Sequence, residues 1–451
     1  MTKKVFEHLD SIYRNYDIRG KYPEEITDDE VKKIGSAIVR KFKTKKVAVG
    51  YDIRPSSVSL KNALIAGLSE SGCDVIDLGL VTTPMTYYVC GSTDVDATVM
   101  VTASHMPSQY NGLKIAIEDA KPVTAEVLQE IKAIVNEHMY STSEAFGVIT
   151  EKSPLKKWRS AFKETFSFND KKLKIVIDPA NMIGALDIET FRAFEPQIEV
   201  IAIYDDFDHT TPNHEANPIK AETLDDLGNK VKETNANLGI GFDGDADRVG
   251  FVDENGEFIP ADIIGALLAR TLLKQNPGGT ILYDLRSSLS VKDEIERLGG
   301  VAIESKVGHT NVRTQMREHN AILGIELAGH YFFKKTYFSE GGPLPAFLLL
   351  QLLNDNDKTL SELVAEVKKY HHSGEINSEI SRPSTEIYDD LLNAFPNGTV
   401  SYLDGLKISF DDWWFSVRPS ANDPVLRLNL EANTKEMMEE KRDELLKIIR
   451  S

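Results

Sequence analysis

Lys46-Val47-Ala48-Val49-Gly50-Tyr51-Asp52 is a run of apolar and β-favouring residues that stops on an aspartate. The figure returns twice, as Lys174-Ile175-Val176-Ile177-Asp178 and Thr280-Ile281-Leu282-Tyr283-Asp284. Short continuous apolar runs bounded by turns read as buried strands. After each comes a small or Ser-rich turn and a helix-period segment, for example Val58 to Ser69 or Val291 to Leu298. A second strand follows: Asp74 to Leu78, Glu199 to Ile203, Val301 to Glu304. A third closes each unit and runs into a polar loop. Val99-Met100-Val101-Thr102 leads into Ala103-Ser104-His105-Met106-Pro107, and Leu238-Gly239-Ile240-Gly241-Phe242 into Asp243-Gly244-Asp245-Ala246-Asp247-Arg248. The last is Ile322-Leu323-Gly324-Ile325, followed by Glu326-Leu327-Ala328-Gly329-His330. This faint repeat predicts an α/β protein of three similar α/β domains with mixed, largely parallel sheets. Their loops, at strand carboxyl ends, face one central cleft, where open sheets bind ligands.

The three units fall at residues 1–150, 151–254 and 255–369. From His371 the pattern changes to short alternating strands (Leu406 to Phe410, Trp413 to Val417, Val425 to Leu430) and a terminal helix from Thr434 to Ile449. That is a smaller C-terminal α+β domain, residues 370–451, with turns at Ser373-Gly374-Glu375 and Pro396-Asn397-Gly398. A chain of 451 residues is too long for one core.

Acidic residues outnumber basic ones 70 to 52, for a net charge of −18. Such a surface repels nucleic acid and anionic membrane, so an anionic ligand needs a local cluster of Arg and Lys. Two cysteines, Cys73 and Cys90, make neither a disulfide framework nor a thiolate metal site. They read as buried small hydrophobes in a reducing compartment. The stretch from Met1 to Leu9 has no apolar run of signal-peptide type, and the apolar run around Phe347 to Leu350 is far too short to span a bilayer. A cytoplasmic protein is expected.

Asp243, Asp245 and Asp247 alternate, and alternate side chains of an extended or tightly turned backbone share a face. Three such carboxylates repel unless a divalent cation neutralises them, and oxygen donors favour Mg²⁺ or Ca²⁺. The plainer alternative is a solvated acidic turn. Gly239 to Gly244 matches a dinucleotide fingerprint, but no helix pattern follows and an aspartate would face the pyrophosphate. An EF-hand reading fails because Arg248 stands where the loop needs glycine. Ser104 at its loop apex is a candidate nucleophile or phosphoryl carrier, with His105 beside it and Lys114 ten residues on. Anion-handling clusters lie at Tyr13 to Gly20 and at Val417 to Pro424 with Arg427 beyond; Arg418 offers a planar fork, Ser420 and Asn422 short donors. His309 and His330 sit in loops of the third unit, His371-His372 at a domain junction. Trp413 and Trp414 are adjacent, so one packs inward and the other outward.

Tyr16-Asp17-Ile18-Arg19-Gly20, Thr102 to Pro107, Asp243 to Arg248, Glu326 to His330 and Arg418-Pro419-Ser420 resemble, in that order, the motifs of the α-D-phosphohexomutase superfamily. The resemblance covers essentially the whole chain and is nearest to the bacterial and archaeal phosphomannomutase/phosphoglucomutase group. It implies a phosphoserine at Ser104 in the first domain and one Mg²⁺ held by Asp243, Asp245, Asp247 and a phosphoserine oxygen in the second. A sugar loop in the third and a phosphate loop in the fourth follow. The implied reaction interconverts hexose 6-phosphate and hexose 1-phosphate, of mannose and/or glucose, through a hexose 1,6-bisphosphate that is also the activator. In that scheme His105 flanks Ser104, and Arg248 neutralises the transferring group. Lys114 and His330 move protons, Arg19 contacts the transferring phosphate side, and Tyr16 binds substrate. Glu326 and the Ala328 position bind the sugar; Arg286, His309, Arg418, Ser420, Asn422 and Arg427 hold the distal phosphate. The implied partners are small-molecule sugar phosphates, with neither nucleic acid nor membrane, for a monomer or homodimer.

The chain departs from the family pattern in four places. Met106 stands where Asn is usual, and Ala328 where Ser is usual, which removes a hydroxyl from the sugar loop. The phosphate loop reads Arg418-Pro419-Ser420-Ala421-Asn422 instead of Arg-x-Ser-Asn-Thr. Phe338-Ser339-Glu340-Gly341-Gly342 lacks the usual paired aspartates. A phosphoglucosamine mutase, which typically carries Gln where this chain has Leu327, is one alternative. A metal-dependent sugar-phosphate phosphatase and a non-catalytic sugar-phosphate-binding homologue are the others.

Overall fold

The computed structural model describes residues 12–139, 143–420 and 425–451. Met1 to Leu9, where no signal peptide is read, and Asn422 of the phosphate loop lie outside the described residues.

Four sheets follow one another along the chain. The first holds β1 (Ile18–Lys21), β2 (Lys46–Tyr51), β3 (Asp74–Leu80), β4 (Ala97–Val101), β5 (Tyr110–Ile117), β6 (Lys121–Pro122) and β7 (Ile149–Glu151), in the order β1-β5-β4-β2-β3-β7 with β6 beside β5. The second holds β8 (Leu173–Asp178), β9 (Ile198–Ala202), β10 (Leu238–Phe242), β11 (Val249–Asp253) and β12 (Phe258–Ile259), in the order β12-β11-β10-β8-β9. The third holds β13 (Thr280–Asp284), β14 (Val301–Ser305), β15 (Leu323–Ile325), β16 (Tyr331–Phe333) and β17 (Ser339–Glu340), in the order β14-β13-β15-β16-β17. All three share a kernel. The Asp-terminated strand lies between two parallel neighbours, and the third strand turns back into an antiparallel fourth. Each polar loop is therefore the bend between a parallel and an antiparallel strand, with both of its ends anchored in a sheet.

The terminal sheet, β18 (His371–His372), β19 (Ile376–Glu379), β20 (Thr399–Ser401), β21 (Leu406–Ser409), β22 (Trp413–Pro419) and β23 (Val425–Ala432), is antiparallel throughout. Its helices, Ser384–Ala394 and Lys435–Ile449, bury apolar faces on it. Both tryptophans at 413 and 414 are buried, unlike the expected split. Trp413 packs under the helices with Phe395 and Phe415, while the opposite face of the sheet meets the third unit. There the Trp414 indole N–H donates to Glu431 at 3.1 Å, and Glu431 in turn accepts from the Leu289 amide at 2.8 Å.

The second and third units share one core. The helix Leu344–Asn354 is apolar almost all round, as a fully buried helix must be. Its Phe347 stacks on Phe191 at 4.5 Å between centroids and touches Phe162, Phe166 and Phe194. That burial explains the run around Phe347 to Leu350; no helix among the described residues is long and apolar enough to cross a membrane. Cys73 and Cys90 are buried free thiols.

Candidate active site

The aspartate that ends each first strand is the organiser of its loop. Asp52 accepts from the Arg54 amide and Nε, from Ser57 Oγ at 2.5 Å and from Thr102 Oγ1 at 2.7 Å. Asp178 accepts from the Ala180 amide and sits 2.9 Å from His214 Nε2. Asp284 holds Arg286 through its amide, Nε and NH2, and accepts from the Leu327 amide at 2.9 Å.

Beyond β4, Thr102 Oγ1 accepts from the Ser104 amide at 3.0 Å, and Ser104 takes a left-handed backbone with φ 54°. A non-glycine residue there is strained, so its surroundings must hold it. Arg54 does so. Its guanidinium, buried, donates to four main-chain carbonyls of the loop: Pro107 at 2.7 Å, Tyr110 at 3.0 Å, and Ser104 and Met106 at 2.6 Å each. The presented Ser104 hydroxyl donates to Asp243 Oδ2 at 2.7 Å and lies 3.2 Å from His105 Nδ1. Arg248, burial and Arg19 keep the His105 ring neutral.

The bend between β10 and β11 folds on itself, because Asp243 Oδ1 accepts from the amides of Asp247 at 3.1 Å and Arg248 at 3.2 Å. It comes so near the serine loop that a Cβ on Gly244 would lie 2.2 Å from the Ser104 carbonyl oxygen. Asp243, Asp245 and Asp247 each bring a ligand oxygen within 4.8 Å of the others, all buried. Lys114 Nζ, on β5, donates to Asp245 Oδ2 at 2.6 Å and Asp247 Oδ2 at 2.5 Å, and Thr83 Oγ1 reaches Asp245 Oδ2 at 2.5 Å. Arg248 Nε stands 4.0 Å from Asp243 Oδ2.

Burial, then the charges of Asp247 and Asp245, push the Asp243 carboxyl well above the usual carboxylate range. Burial works the same way on Asp247, but Lys114 and Arg248 overcome it and hold that carboxyl low. For Lys114, burial opposes the charge, yet Asp245 and Asp247 keep the amine protonated. Asp245 Oδ1 and Asp247 Oδ1 are buried and accept no hydrogen bond among the described residues. Three hard oxygen donors with two buried oxygens to spare suit a divalent cation of the Mg²⁺ class.

Across the cleft, the third loop closes with the Glu326 amide donating to the His330 carbonyl at 3.0 Å. Glu326 Oε1 accepts from the Gly308 amide at 2.7 Å. Burial and the nearby Asp284, against the pull of Arg286, push its carboxyl up to about 7. Ala328 is half-buried and brings no polar side chain. His330 Nε2 accepts from Arg248 Nε at 3.1 Å, which leaves its proton on Nδ1. That nitrogen faces Asp247 Oδ1 at 3.8 Å and Glu340 Oε1 at 3.7 Å. Burial, with Arg248 and Lys114, keeps the ring neutral. His309 opens the helix His309–Glu318; burial and Arg313 lower its pKa to about 3. Its ring lies 5.2 Å from Tyr16 and 6.3 Å from His330. Arg19 NH2 pairs with Asp17 at 2.5 Å, within the field of Asp245 and Asp247.

Arg286, Arg418 and Arg427 converge on Glu375, at 3.5, 3.0 and 3.1 Å, and Arg427 NH2 also donates to Ser420 Oγ at 2.9 Å. The fold thus brings together every sequence-predicted residue of the four loops that is described. Sequence reasoning passed over Arg54, Thr83, Glu340 and Glu375. Arg54 had a signal: Asp52-Ile53-Arg54 repeats as Asp284-Leu285-Arg286 at the equivalent strand end.

Family models described as phosphoglucomutase/phosphomannomutase, alpha/beta/alpha domains I, II and III match residues 10–141, 156–256 and 260–370. A phosphomannomutase of Methanocaldococcus jannaschii is 35% identical, covering 97% of both chains. One of Escherichia coli K12 is 34% identical, covering 93% of this chain and 94% of the other. The crystal structure of a phosphoglucomutase/phosphomannomutase family protein from Burkholderia thailandensis superposes with a TM-score of 0.89 at 29% identity, covering 97% of each chain.

Proposed function

The chain belongs to the phosphoglucomutase/phosphomannomutase family of the α-D-phosphohexomutase superfamily, and from that membership we propose that it is a phosphohexose mutase moving a phosphoryl group between O1 and O6 of mannose and/or glucose through Ser104. Each domain (1–150, 151–254, 255–369, 370–451) supplies one part of the cleft. The observation that carries this reading is the Ser104 hydroxyl, buried and held 2.7 Å from the carboxylate trio by a strained loop. A merely structural serine needs neither the strain nor the acidic partner.

As a phosphoserine, Ser104 passes its phosphoryl group to the free hydroxyl of a bound hexose monophosphate. The serine O–P bond breaks as the sugar O–P bond forms, and the hydroxyl proton goes to His330 Nε2 once the Arg248 N–H turns to the phosphate. Such transfer depends on positioning and charge neutralisation. Asp243, Asp245 and Asp247 would hold Mg²⁺, which supplies Lewis-acid neutralisation of the transferring group. Lys114, kept protonated, adds a fixed positive charge at the same place and can return a proton to the departing oxygen. Arg19, on the β1 side, faces the transferring group. Glu326 accepts from sugar hydroxyls. Arg286, Arg418 and Ser420, with His309, Tyr16 and Arg427 around them, hold the distal phosphate. The resulting 1,6-bisphosphate turns end for end, and the serine takes back the other phosphoryl group.

Intact mass and peptide mapping of purified enzyme should locate phosphate on Ser104. A coupled assay should show turnover of mannose 1-phosphate or glucose 1-phosphate with a 1,6-bisphosphate requirement, lost in Ser104→Ala. Hydrolysis without isomerisation would replace this reading with a phosphatase, and a preference for glucosamine 1-phosphate would move it to a different mutase.

A further inference from the structure

Glu375 occupies a place where a carboxylate looks misplaced. Three guanidiniums gathered at one end of a cleft make a site for a phosphate dianion, because planar forks grip its oxygens in pairs. Yet one glutamate engages all three: Oε2 meets Arg418 NH2 and Arg286 NH1, and Oε1 meets Arg427 NH1. The arginines come from two units, Arg286 beyond β13 and the others on β22 and β23, so the glutamate also ties the terminal sheet to the third unit.

The loop that bears it is fastened on both sides. His372 Nε2 donates to the Arg286 carbonyl at 2.9 Å, and its Nδ1 accepts from the Gly374 amide at 2.9 Å. Ser373 exchanges two hydrogen bonds with Leu430 of β23, at 2.9 and 3.1 Å. The carboxylate is therefore a tethered occupant at high local concentration. Burial opposes its charge, but Arg286, Arg418 and Arg427 hold it ionised.

We propose that Glu375 is the built-in counter-anion of the distal phosphate pocket, a displaceable stand-in that weakens the arginine clamp on purpose and closes it when no phosphate is present. This rests on the distal-phosphate role given above to Arg286 and Arg418. The reaction supplies the reason. An intermediate that must leave the clamp, turn and return is stalled by a grip that is strong in every state, since uniform binding deepens the trap without lowering the barrier. A carboxylate that retakes the arginines as phosphate departs stabilises the vacated clamp and so eases that departure.

Glu375→Gln keeps the shape and removes the charge. In the full-length enzyme it should lower both KM for glucose 1-phosphate and the inhibition constant of inorganic phosphate about tenfold, the effect of one modest charge interaction, while kcat falls. Inorganic phosphate should raise the melting temperature of this variant more than that of the parent, because its arginines then lack their anion. Glu375→Asp should return kcat and KM toward parent values. Unchanged or weaker phosphate binding in Glu375→Gln, or a lowered melting temperature that phosphate fails to restore, would overturn the proposal and reduce Glu375 to a structural pair. Arg418→Ala separates the two ideas. If it weakens binding while Glu375→Gln does not tighten it, only the counter-anion fails. If Arg418→Ala leaves binding untouched, the distal site itself was misassigned and the proposal falls with it.

Discussion

Buried Glu326 faces both Asp284 and Arg286, and burial with the first of these pushes its carboxyl from 4.5 up to about 7. The direction fixes two consequences. As pH falls through about 7 the carboxylate gains a proton and loses acceptor capacity for sugar hydroxyls, so KM for hexose phosphate should rise. The folded state holds this proton more tightly than the unfolded chain, so the stability that the group contributes is present below pH 4.5 and is lost as pH rises through about 7. Because phosphate monoesters titrate near pH 6 themselves, the measurement is a comparison. KM profiles of the parent and Glu326→Gln should differ in slope between about pH 6 and 8, the variant lacking the component centred near 7. Superimposable profiles would show that Glu326 does not set sugar affinity through its charge.

At the level of one loop, Arg54 shows how a main chain can be held in a shape its residues disfavour. It pays for the left-handed Ser104 with four carbonyl contacts and one ion pair. Lysine has no fork with which to repeat them. Arg54→Lys should lower kcat by about 100-fold, the usual cost of misplacing a reacting group by an ångström, with KM little changed. Steady-state kinetics and the phosphate content of Ser104 would check it. Arg54→Ala, which leaves Asp52 buried without its partner, should cost about 3–5 kcal/mol of stability in denaturant titration. The same loop marks what could be read beforehand. The three Asp-terminated strands, their parallel neighbours and the polar loops were legible because apolar runs and their stops are local properties. The antiparallel return into β5, β11 and β16 was not, since a run of five residues carries no direction. Only the Asp-x-Arg spacing marks Arg54, because its other partners are carbonyls, which every residue has. Glu375 lay in a Ser-Gly-Glu stretch whose composition says only that the chain turns; its partners at 286, 418 and 427 are distant in sequence. Adjacency puts one of Trp413 and Trp414 outside, and nothing in β22 announces the third unit that covers that other face.

Over the whole molecule, the four units are not joined alike. Second and third share a continuous core around Phe347. The terminal sheet meets the third unit largely through polar contacts. The Leu289 amide donates to Glu431 and the Val307 amide to Asp404 at 3.2 Å, Lys407 pairs with Glu304, and three arginines share Glu375. Polar interfaces of this kind open more readily than apolar ones, so under the proposed mechanism the terminal sheet is the unit suited to release and recapture the bisphosphate. Truncating Arg418 to Ala should weaken hexose phosphate binding by about 1.5–3 kcal/mol, the range for hydrogen bonds to charged groups. It should also let hexose 1,6-bisphosphate escape into solution before the second transfer. Titration calorimetry and assay of free bisphosphate in stopped reactions would check both. Full affinity with no excess release would show that the terminal sheet is not the clamp.

Gly244 sets a limit on how such an enzyme can change. Where it meets the Ser104 carbonyl there is no thickness of side chain between two backbones, so nothing in that gap can be trimmed or padded by substitution. The setting between serine and acidic loop behaves like a ground joint, correct at one spacing only. A side chain at 244 would force the serine and acidic loops apart, so any change that reshapes the cleft has to leave this one contact intact and fall on side chains elsewhere in it.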